Sequence, residues 1–243
     1  KKEIKFQIKN RKIVFSIINK IPKIKLSSKL KKDNIVKLKY FNHAFLVFEN
    51  DDFKFATDPW AIGPAFTNGW WLDKPTEGNW KKELNKCDFI FISHNHPDHL
   101  HFETLNECSK DINILTPNFK NNSTFNLLNS WGFKNIYNLD FNIDYRFKNT
   151  DLIFSILKSG DFRDDSGLYF SYNNFKVLLD VDSNFINFGK LPEVDLYCSS
   201  YAGGATAFPL MFDNYNLEFK KSRQKIDSLY VLNDRLKNIK LTK

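Results

Sequence analysis

Apolar residues along the chain form many short strand-like runs with helical patterns between them. Alternating apolar and polar positions predict strands at residues 35–41, 44–49, 53–57, 112–116, 136–139, 151–157, 167–172 and 176–181. The run FIFIS at residues 89–93 has no polar alternation, which is typical of a strand buried on both faces. Asn173-Asn174 predicts the turn of an antiparallel hairpin.

Helical patterns predict helices at residues 80–85, 102–108, 123–131 and 217–238. Gly132 suits a left-handed cap after the third of them. In the last, the apolar residues can share one face: Leu217, Ile226, Leu229, Leu232 and Leu236. The mixture predicts an α/β (α+β) fold of packed sheets with helices outside, and it disfavours a single parallel sheet.

The composition is that of a soluble globular protein, because 42% of the 243 residues are hydrophobic and 26% are charged. No apolar run is long enough to span a bilayer, and the charged start KKEIKFQIKNRK lacks the apolar centre of a signal peptide. We divide the chain into a basic flank at residues 1–33 and one domain at residues 34–243, and we expect it in the cytoplasm.

Charge and cysteine usage narrow the classes of partner. Lys and Arg number 36 and Asp and Glu 28, so the net charge of +8 favours an anionic partner, although solvated flanks also account for it. The three cysteines, Cys87, Cys108 and Cys198, form no CxxC or CxH pair. This spacing argues against a disulfide framework and against an iron–sulfur module in this chain.

Four of the five histidines lie between positions 94 and 101, directly after FIFIS. Here His94, His96, Asp98 and His99 place three imidazoles and a carboxylate within six positions. Imidazole nitrogen and carboxylate oxygen are ligands for zinc, iron and manganese. A loop at a strand end can turn His94 and His96 toward one ion and the other two toward a second, and such a pair can clamp a substrate. His101 falls outside this spacing, and we expect it at a helix start.

The segment SHNHPDH resembles the His-x-His-x-Asp-His signature of the metallo-β-lactamase superfamily. The resemblance implies an αββα sandwich with a two-metal site at one edge of its sheets. Thr57-Asp58-Pro59-Trp60 resembles the first motif of that family, which implies that Asp58 supports the metal loop without binding metal; a turn aspartate is the alternative. The chain stops after LKNIKLTK, so we expect a sandwich that is truncated at its C-terminus.

Four blocks, in order, are similar to the metallo-β-lactamase-fold part of the CMP-N-acetylneuraminate hydroxylase family. They are DPWAIGPAFTNGWWL (58–72), FISHNHPDHLHFETL (91–105), SGDFRDDSGLYF (159–170) and YAGGATAFPLMF (201–212). Members of that family are monooxygenases that convert the N-acetyl group of a CMP-sialic acid to N-glycolyl. The resemblance therefore implies an oxygenase with an anionic, nucleotide-linked N-acyl substrate.

The chain departs from this pattern at three points. Without a Cys-x-His pair it has no Rieske iron–sulfur motif, so an oxygenase would need electrons from elsewhere. Ser159-Gly160-Asp161 aligns with a Gly-His pair, which places Asp161 at a ligand position and favours iron or manganese over zinc. No histidine follows His101, so the last metal histidine of the superfamily is absent.

The bridging aspartate of the family is best matched by Asp182, which ends the strand KVLLDVD. Asp180 competes with it, because alternation places both carboxylates on one face. We choose Asp182 by its place at the strand end, and with Asp98 it is our candidate for a catalytic role. A solvent-facing strand carboxylate is the alternative.

Three further residues are candidates for substrate binding. Trp70 and Trp71 could wall a sugar or base pocket, and core packing explains them equally well. Arg163 could hold a phosphate or carboxylate, and an ion pair with Asp164 or Asp165 is equally consistent. His43 resembles a recurrent histidine of the fold, and we expect a structural role for it.

Three functions remain open from the sequence. The first is a monooxygenase component with one or two divalent metal ions, iron favoured and zinc or manganese as alternatives, served by a Rieske-type or other electron-donor protein. The second is a metal-dependent hydrolase of an ester, phosphodiester or amide, in which Asp98 or Asp182 positions a hydroxide. The third is a non-catalytic binding domain with a degraded site. We expect an anionic small-molecule substrate and no nucleic acid.

Overall fold

The computed structural model describes residues 36–200, 214 and 216–242, together with the backbone of three short strands. These strands are β1 (Glu3–Ile4), β2 (Val14–Ile17) and β3 (Lys23–Ile24). The rest of the predicted basic flank and the sequence block at 201–212 lie outside the described residues. Contacts divide the chain into a first unit, Lys1–Ile153, and a second unit, Phe154–Lys243.

A seven-stranded sheet organises the first unit, in the order β2-β4-β5-β6-β7-β8-β9. Its further strands are β4 (Lys37–Asn42), β5 (Phe45–Glu49), β6 (Lys54–Thr57), β7 (Phe89–Phe91), β8 (Asn113–Pro117) and β9 (Asn135–Leu139). Strands β4, β5 and β6 pair antiparallel, and the pairs from β6 to β9 are parallel. A two-residue strand, β10 (Tyr145–Arg146), follows.

The parallel centre of this sheet confirms the expectation for FIFIS. All three residues of β7 are buried, because β7 has a parallel partner on each side and apolar side chains on both faces. Three short helices flank the strands: α1 (Trp80–Leu84), α2 (Phe102–Asn106) and α3 (Ser123–Ser130). Gly132 has a left-handed backbone just after α3, as predicted.

The carboxyl ends of β6 and β7 meet at one edge of the sheet. Thr57 and Phe91 are register partners, and the Asp58 N–H donates to the Phe91 carbonyl at 2.9 Å. The residue after β6 and the loop after β7 therefore start side by side, although 35 positions separate Asp58 from Ser93 in sequence. Parallel pairing thus brings two distant motifs together.

Four charged side chains join α1 to the sheet. Lys39 of β4 and Lys54 of β6 each lie within 3.2 Å of both Glu49 of β5 and Glu83 of α1. The four side chains are between 15% and 24% exposed. A shared network of this kind stabilises more than an isolated surface pair.

Acidification is expected to destabilise the first unit through this network. Burial alone would raise the pKa of Glu49 and of Glu83, but hydrogen bonds and charges from Lys54 and Lys39 hold each pKa below its usual value. Such carboxylates stabilise the fold above their unfolded pKa, and this stability is lost as the pH falls. Glu83→Gln should lower the unfolding free energy near pH 7 by about 1 kcal/mol and flatten its fall toward pH 4, measured by urea unfolding. Equal pH profiles for parent and variant would contradict this.

The second unit contains four strands that are neighbours in chain order. They are β11 (Ile153–Lys158), β12 (Ser166–Tyr172), β13 (Phe175–Val181) and β14 (Leu196–Ser199). The predicted hairpin between β12 and β13 is confirmed, with Asn173 and Asn174 both in the left-handed region. A short turn, Ile186–Gly189, in which Asn187 and Phe188 have left-handed backbones, precedes β14. The sequence pattern did not predict β14.

The last helix, α4 (Leu217–Leu241), confirms the predicted helix but not an inward apolar face. Leu217 is 61% exposed and Ile226 57%. The buried residues near the end of α4 are instead polar, notably Arg235 and Asn238. Within the described residues, no helix is long and apolar enough to cross a membrane. Two larger sheets with few helices give a mixed α/β chain, as expected.

Candidate metal centre

The loop after β7 carries the clustered histidines, and three of its four metal-ligand candidates are buried while His96 is partly exposed. His94 is 1% exposed, Asp98 2% and His99 0%. The His96 carbonyl accepts hydrogen bonds from the His99 N–H at 3.0 Å and the Leu100 N–H at 2.8 Å. This turn brings side chains that are two to five positions apart onto one side of the loop.

His94 and His96 form the first pair of donors. His94 Nε2 lies 2.8 Å from His96 Nδ1, and the two rings are nearly perpendicular. Each imidazole therefore presents one nitrogen to the same point. A shared divalent ion at that point would be bound by both rings.

Asp98 and His99 belong to a second set, in which His43 takes part. His43 Nε2 lies 2.9 Å from Asp98 Oδ2 and 3.3 Å from His99 Nε2. His99 Nε2 is 3.5 Å from the same Asp98 oxygen. His43 comes from the turn between β4 and β5, so the set joins a hairpin to the loop after β7.

Behind both sets lies the buried carboxylate of Asp58. Its two oxygens accept hydrogen bonds at 2.7 Å from the backbone N–H and the hydroxyl of Ser93. Asp58 Oδ2 also lies 3.1 Å from His99 Nδ1. Ser93 Oγ lies in turn 2.9 Å from His94 Nδ1. One carboxylate is thus connected to a histidine of each donor set.

These contacts decide which ring nitrogens carry protons. An ionised carboxylate only accepts, so His99 Nδ1 donates its proton to Asp58 and keeps a lone pair on Nε2. The single hydroxyl proton of Ser93 is donated to Asp58, so Ser93 Oγ can only accept from His94 Nδ1. His94 Nε2 is then also unprotonated. Both imidazoles are fixed in the tautomer that binds a metal through Nε2.

The residues of this loop fit a divalent cation. Asp98 Oδ1 is buried and has no hydrogen-bond partner among the residues that the structure describes, an arrangement that needs a cation or another donor to offset its desolvation. The donors are imidazole nitrogens and carboxylate oxygen, a set that suits zinc, iron or manganese. The geometry of the described residues does not discriminate among these three ions.

Asp161 and Asp182 lie in the second unit, after β11 and β13. Asp161 accepts from Arg163 Nε at 2.8 Å and from Ser159 Oγ at 2.9 Å. Burial alone would raise the pKa of Asp161, but the hydrogen bonds of Arg163 outweigh burial and lower it. Arg163 also donates to the Asp182 carbonyl at 3.0 Å. The roles of Asp161 and Asp182 as metal ligands remain predictions.

Arg163 forms the ion pair that the sequence left as an alternative to substrate binding. Its Nη1 lies 3.0 Å from the buried carboxylate of Asp165. Arg163 also donates hydrogen bonds to Asp161 and to the Asp182 carbonyl, so its guanidinium is occupied by contacts within the second unit.

Asp180 and Asp182 do not follow simple alternation, contrary to our expectation. Between them Val181 has a positive φ of 52°, an uncommon conformation for a β-branched residue, and the pairing with β14 shifts register there. Asp180 is fully buried and is bound by Tyr197, Ser199 and Arg235. Asp182 is half-buried at the strand end. Asp182 nevertheless lies directly after β13, and this position was the reason for choosing it as the candidate ligand.

A cavity of about 580 Å³ lies beside the second donor set, and His43 is part of its wall. Trp70 and Trp71 also line this cavity, and Trp71 is 67% exposed, so core packing does not explain it. Lys74 and its ion-pair partner Asp73, whose Oδ2 lies 3.6 Å from Lys74 Nζ, line it as well. The cavity is therefore open, partly aromatic and next to the metal-ligand candidates.

The sequence did not predict the part that His43 and Ser93 take in this centre, whereas His101 lies where it was expected. His43 stood alone in sequence, and Ser93 was read only as the end of a strand. Two sequence features together could have predicted their part in the centre: a histidine in a hairpin turn, and a Ser-His dipeptide directly after a buried strand. His101 caps α2, as expected, and burial lowers its pKa.

Comparisons with known proteins agree with this architecture. Residues 37–177 match the family described as the beta-lactamase superfamily domain. The chain is 35% identical over 213 residues to the cytidine monophosphate-N-acetylneuraminic acid hydroxylase of Mus musculus, covering 84% of this chain and 37% of that protein. The hydroxylase of the same name from Asterias rubens is 36% identical over 205 residues, which cover 79% of this chain and 31% of that protein.

A solved structure shares the fold. CmlA, a diiron β-hydroxylase from Streptomyces venezuelae, aligns with a TM-score of 0.54 and 21% identity, covering 85% of this chain and 41% of CmlA. At this identity the likeness shows the fold alone. The chain spans about a third of the length of the hydroxylases it matches.

Proposed function

The chain belongs to the metallo-β-lactamase superfamily, and on that premise we propose that it is the metal-binding part of an oxygenase. Its substrate in this proposal is an anionic N-acyl compound, such as a nucleotide-linked sugar. The metal is iron, and the setting is the cytoplasm. All three cysteines are free, which fits a reducing compartment.

One observation carries the proposal: the identity of 35% to a named hydroxylase extends over 84% of the chain. A match of that extent must include residues 94–99, whichever end of the 243 residues it leaves out. The likeness therefore includes the donor loop and much of both units. It is broader than a signature motif, which hydrolases and oxygenases of one superfamily could share.

In this proposal the loop residues hold the metal ions. His94 and His96 would hold one ion and Asp98 and His99 a second, and Asp161 and Asp182 are further proposed ligands by their resemblance to family positions. Asp58 and Ser93 hold the imidazoles of His94 and His99 in the tautomers that leave Nε2 free. Bound iron supplies the activation of O₂ that protein side chains lack.

The overall reaction defines what else the protein needs. When one oxygen atom of O₂ enters a C–H bond of the substrate, the other leaves as water, and two electrons and two protons are consumed. The given sequence has no iron–sulfur motif, so in this proposal the electrons come either from a Rieske-type segment of a longer polypeptide or from a Rieske-type or other donor protein.

The cavity beside His43 is the proposed place for the substrate. Trp70 and Trp71 offer ring faces for a sugar or base. Lys74, which is exposed and pairs with Asp73 at 3.6 Å, would have to exchange that carboxylate for a phosphate or carboxylate of the substrate. Asp98 and Asp182 are the carboxylates proposed to act at the reacting end. The net charge of +8 favours an anionic ligand in general.

The test uses protein purified without oxygen and loaded with ferrous iron. With a chemical reductant and O₂, CMP-N-acetylneuraminate should gain one oxygen atom, detected by mass spectrometry with ¹⁸O₂. Free N-acetylneuraminate serves as the second substrate, and His96→Ala is the inactive control. Oxygen incorporation that depends on iron and on His96 supports the proposal.

Other outcomes favour the alternatives. Zinc-dependent cleavage of a generic phosphodiester, without oxygen incorporation, would favour a metal-dependent hydrolase in which Asp98 or Asp182 positions the attacking water. Failure to bind any metal would favour a non-catalytic binding domain.

A further inference from the structure

We infer that His43 is a metal ligand and completes the set of Asp98 and His99. This inference rests on the proposed metal-dependent function, and it adds a ligand from outside the loop signature. His43 lies in the turn between β4 and β5, whereas Asp98 and His99 lie in the loop after β7.

The distances are those of three atoms that share one ion. Two atoms that each bind an ion at about 2.1 Å, with angles of about 90° to 110°, lie roughly 3.0–3.4 Å apart. The three separations among His43 Nε2, Asp98 Oδ2 and His99 Nε2 are 2.9, 3.3 and 3.5 Å. All three pairs match the geometry of a common ion within a few tenths of an ångström.

Neighbouring contacts favour a ligand over a simple hydrogen-bond partner. His99 Nδ1 is bound to Asp58, so the His99 lone pair points at His43 Nε2 and Asp98. The other oxygen of Asp98, Oδ1, is buried, and no donor in the described part of the chain reaches it. A single proton on His43 would satisfy only one of these acceptors, whereas a divalent ion would satisfy several at once.

The hairpin holds His43 in place for this role. Its backbone has a φ of 46°, in the left-handed region that few side chains other than Asn, Asp and His adopt readily. The imidazole packs edge-on against Trp60, with ring centroids 5.5 Å apart. Its side chain is 30% exposed and lines the cavity, so an ion bound there would remain open to a substrate.

The test is the number of metal equivalents taken up by the whole chain. Cobalt is titrated into metal-free parent, His43→Ala and His43→Asn proteins, followed by visible absorption and elemental analysis. Asn is included because it tolerates the left-handed backbone without offering an imidazole. Both variants should lose one equivalent relative to the parent, or bind it about 100-fold more weakly or worse. Added imidazole should restore the lost absorption band through the open cavity.

His101→Asn is the matched control, because His101 is a buried histidine of the same loop region that caps α2 and lies outside the donor set. It should retain the cobalt equivalents of the parent. If both His43 variants bind cobalt with the parent's stoichiometry, affinity and spectrum, the inference is wrong while the proposed function stands. A parent that binds no cobalt, zinc or iron would overturn both.

Discussion

Asp58→Ala is expected to destabilise the first unit by about 3–5 kcal/mol, because the change leaves buried donors without an acceptor. Asp58 is 0% exposed and accepts from two groups of Ser93 as well as from His99. Its backbone φ of 37° is also unfavourable for alanine. Chemical denaturation of the metal-free protein measures the loss. A change of less than about 1 kcal/mol would show that the carboxylate does not anchor the loop.

Asp58→Asn is expected to weaken metal binding while leaving the folding free energy nearly unchanged. The amide can still accept from the Ser93 N–H, but its NH₂ group faces His99 Nδ1 and makes that nitrogen an acceptor. His99 then carries its proton on Nε2, which removes the lone pair from the donor set. We expect near-parental folding and metal binding weakened at least ~10-fold to 100-fold.

Variants of Ser93 test the tautomer of His94, as the Asp58 variant tests that of His99. Ser93→Ala should weaken metal binding in the same direction, and Ser93→Thr should restore it because the hydroxyl is kept. Long-range ¹H–¹⁵N NMR spectra of the metal-free proteins report the tautomers directly. An unchanged His94 tautomer in Ser93→Ala would contradict the relay through the hydroxyl.

Arg235→Ala is expected to destabilise the second unit by about 3 kcal/mol, because it leaves Asp180 buried without its cationic partner. Arg235 Nη1 lies 3.3 Å from Asp180 and 3.0 Å from Asp234, and it donates to the Ser183 carbonyl. Burial raises the pKa of Asp180 to about 7 despite Arg235 and Tyr197, so the carboxyl can neutralise once the arginine is gone. This places the loss at the lower end of the usual range for a broken buried pair.

Arg223→Ala is the control on the same helix. Arg223 pairs with Asp227 at 3.2 Å, but its side chain is 51% exposed. The substitution should change the unfolding free energy by less than about 0.5 kcal/mol. Equal losses for Arg223→Ala and Arg235→Ala would mean that the helix propensity, and not the buried pair, sets the stability of α4.

Local pattern predicted several elements of both units well, because the features that define them lie in a few adjacent residues. FIFIS, the hairpin at Asn173-Asn174 and the cap at Gly132 all follow from backbone and burial preferences of a few adjacent residues. The family signature likewise located the donor loop. These signals are local, so no knowledge of the partner strands is needed to read them.

The remaining features depend on contacts that sequence spacing does not encode. His43 reaches Asp98 across 55 positions only because the β4–β5 turn lies near the carboxyl end of β7. The positive φ of Val181 breaks the alternation by which Asp180 and Asp182 were compared. In α4 the apolar periodicity is real, yet the ion pairs of Arg235 determine which side is buried.

Elemental analysis of protein purified without oxygen, with His96→Ala beside it, tests the central claim most directly. Our account predicts near-stoichiometric iron in the parent and a loss of bound metal in the variant, because His96 Nδ1 and His94 Nε2 share one donor point. Zinc in place of iron would keep the metal centre and move the proposal to the hydrolase. No metal in either protein would contradict the account.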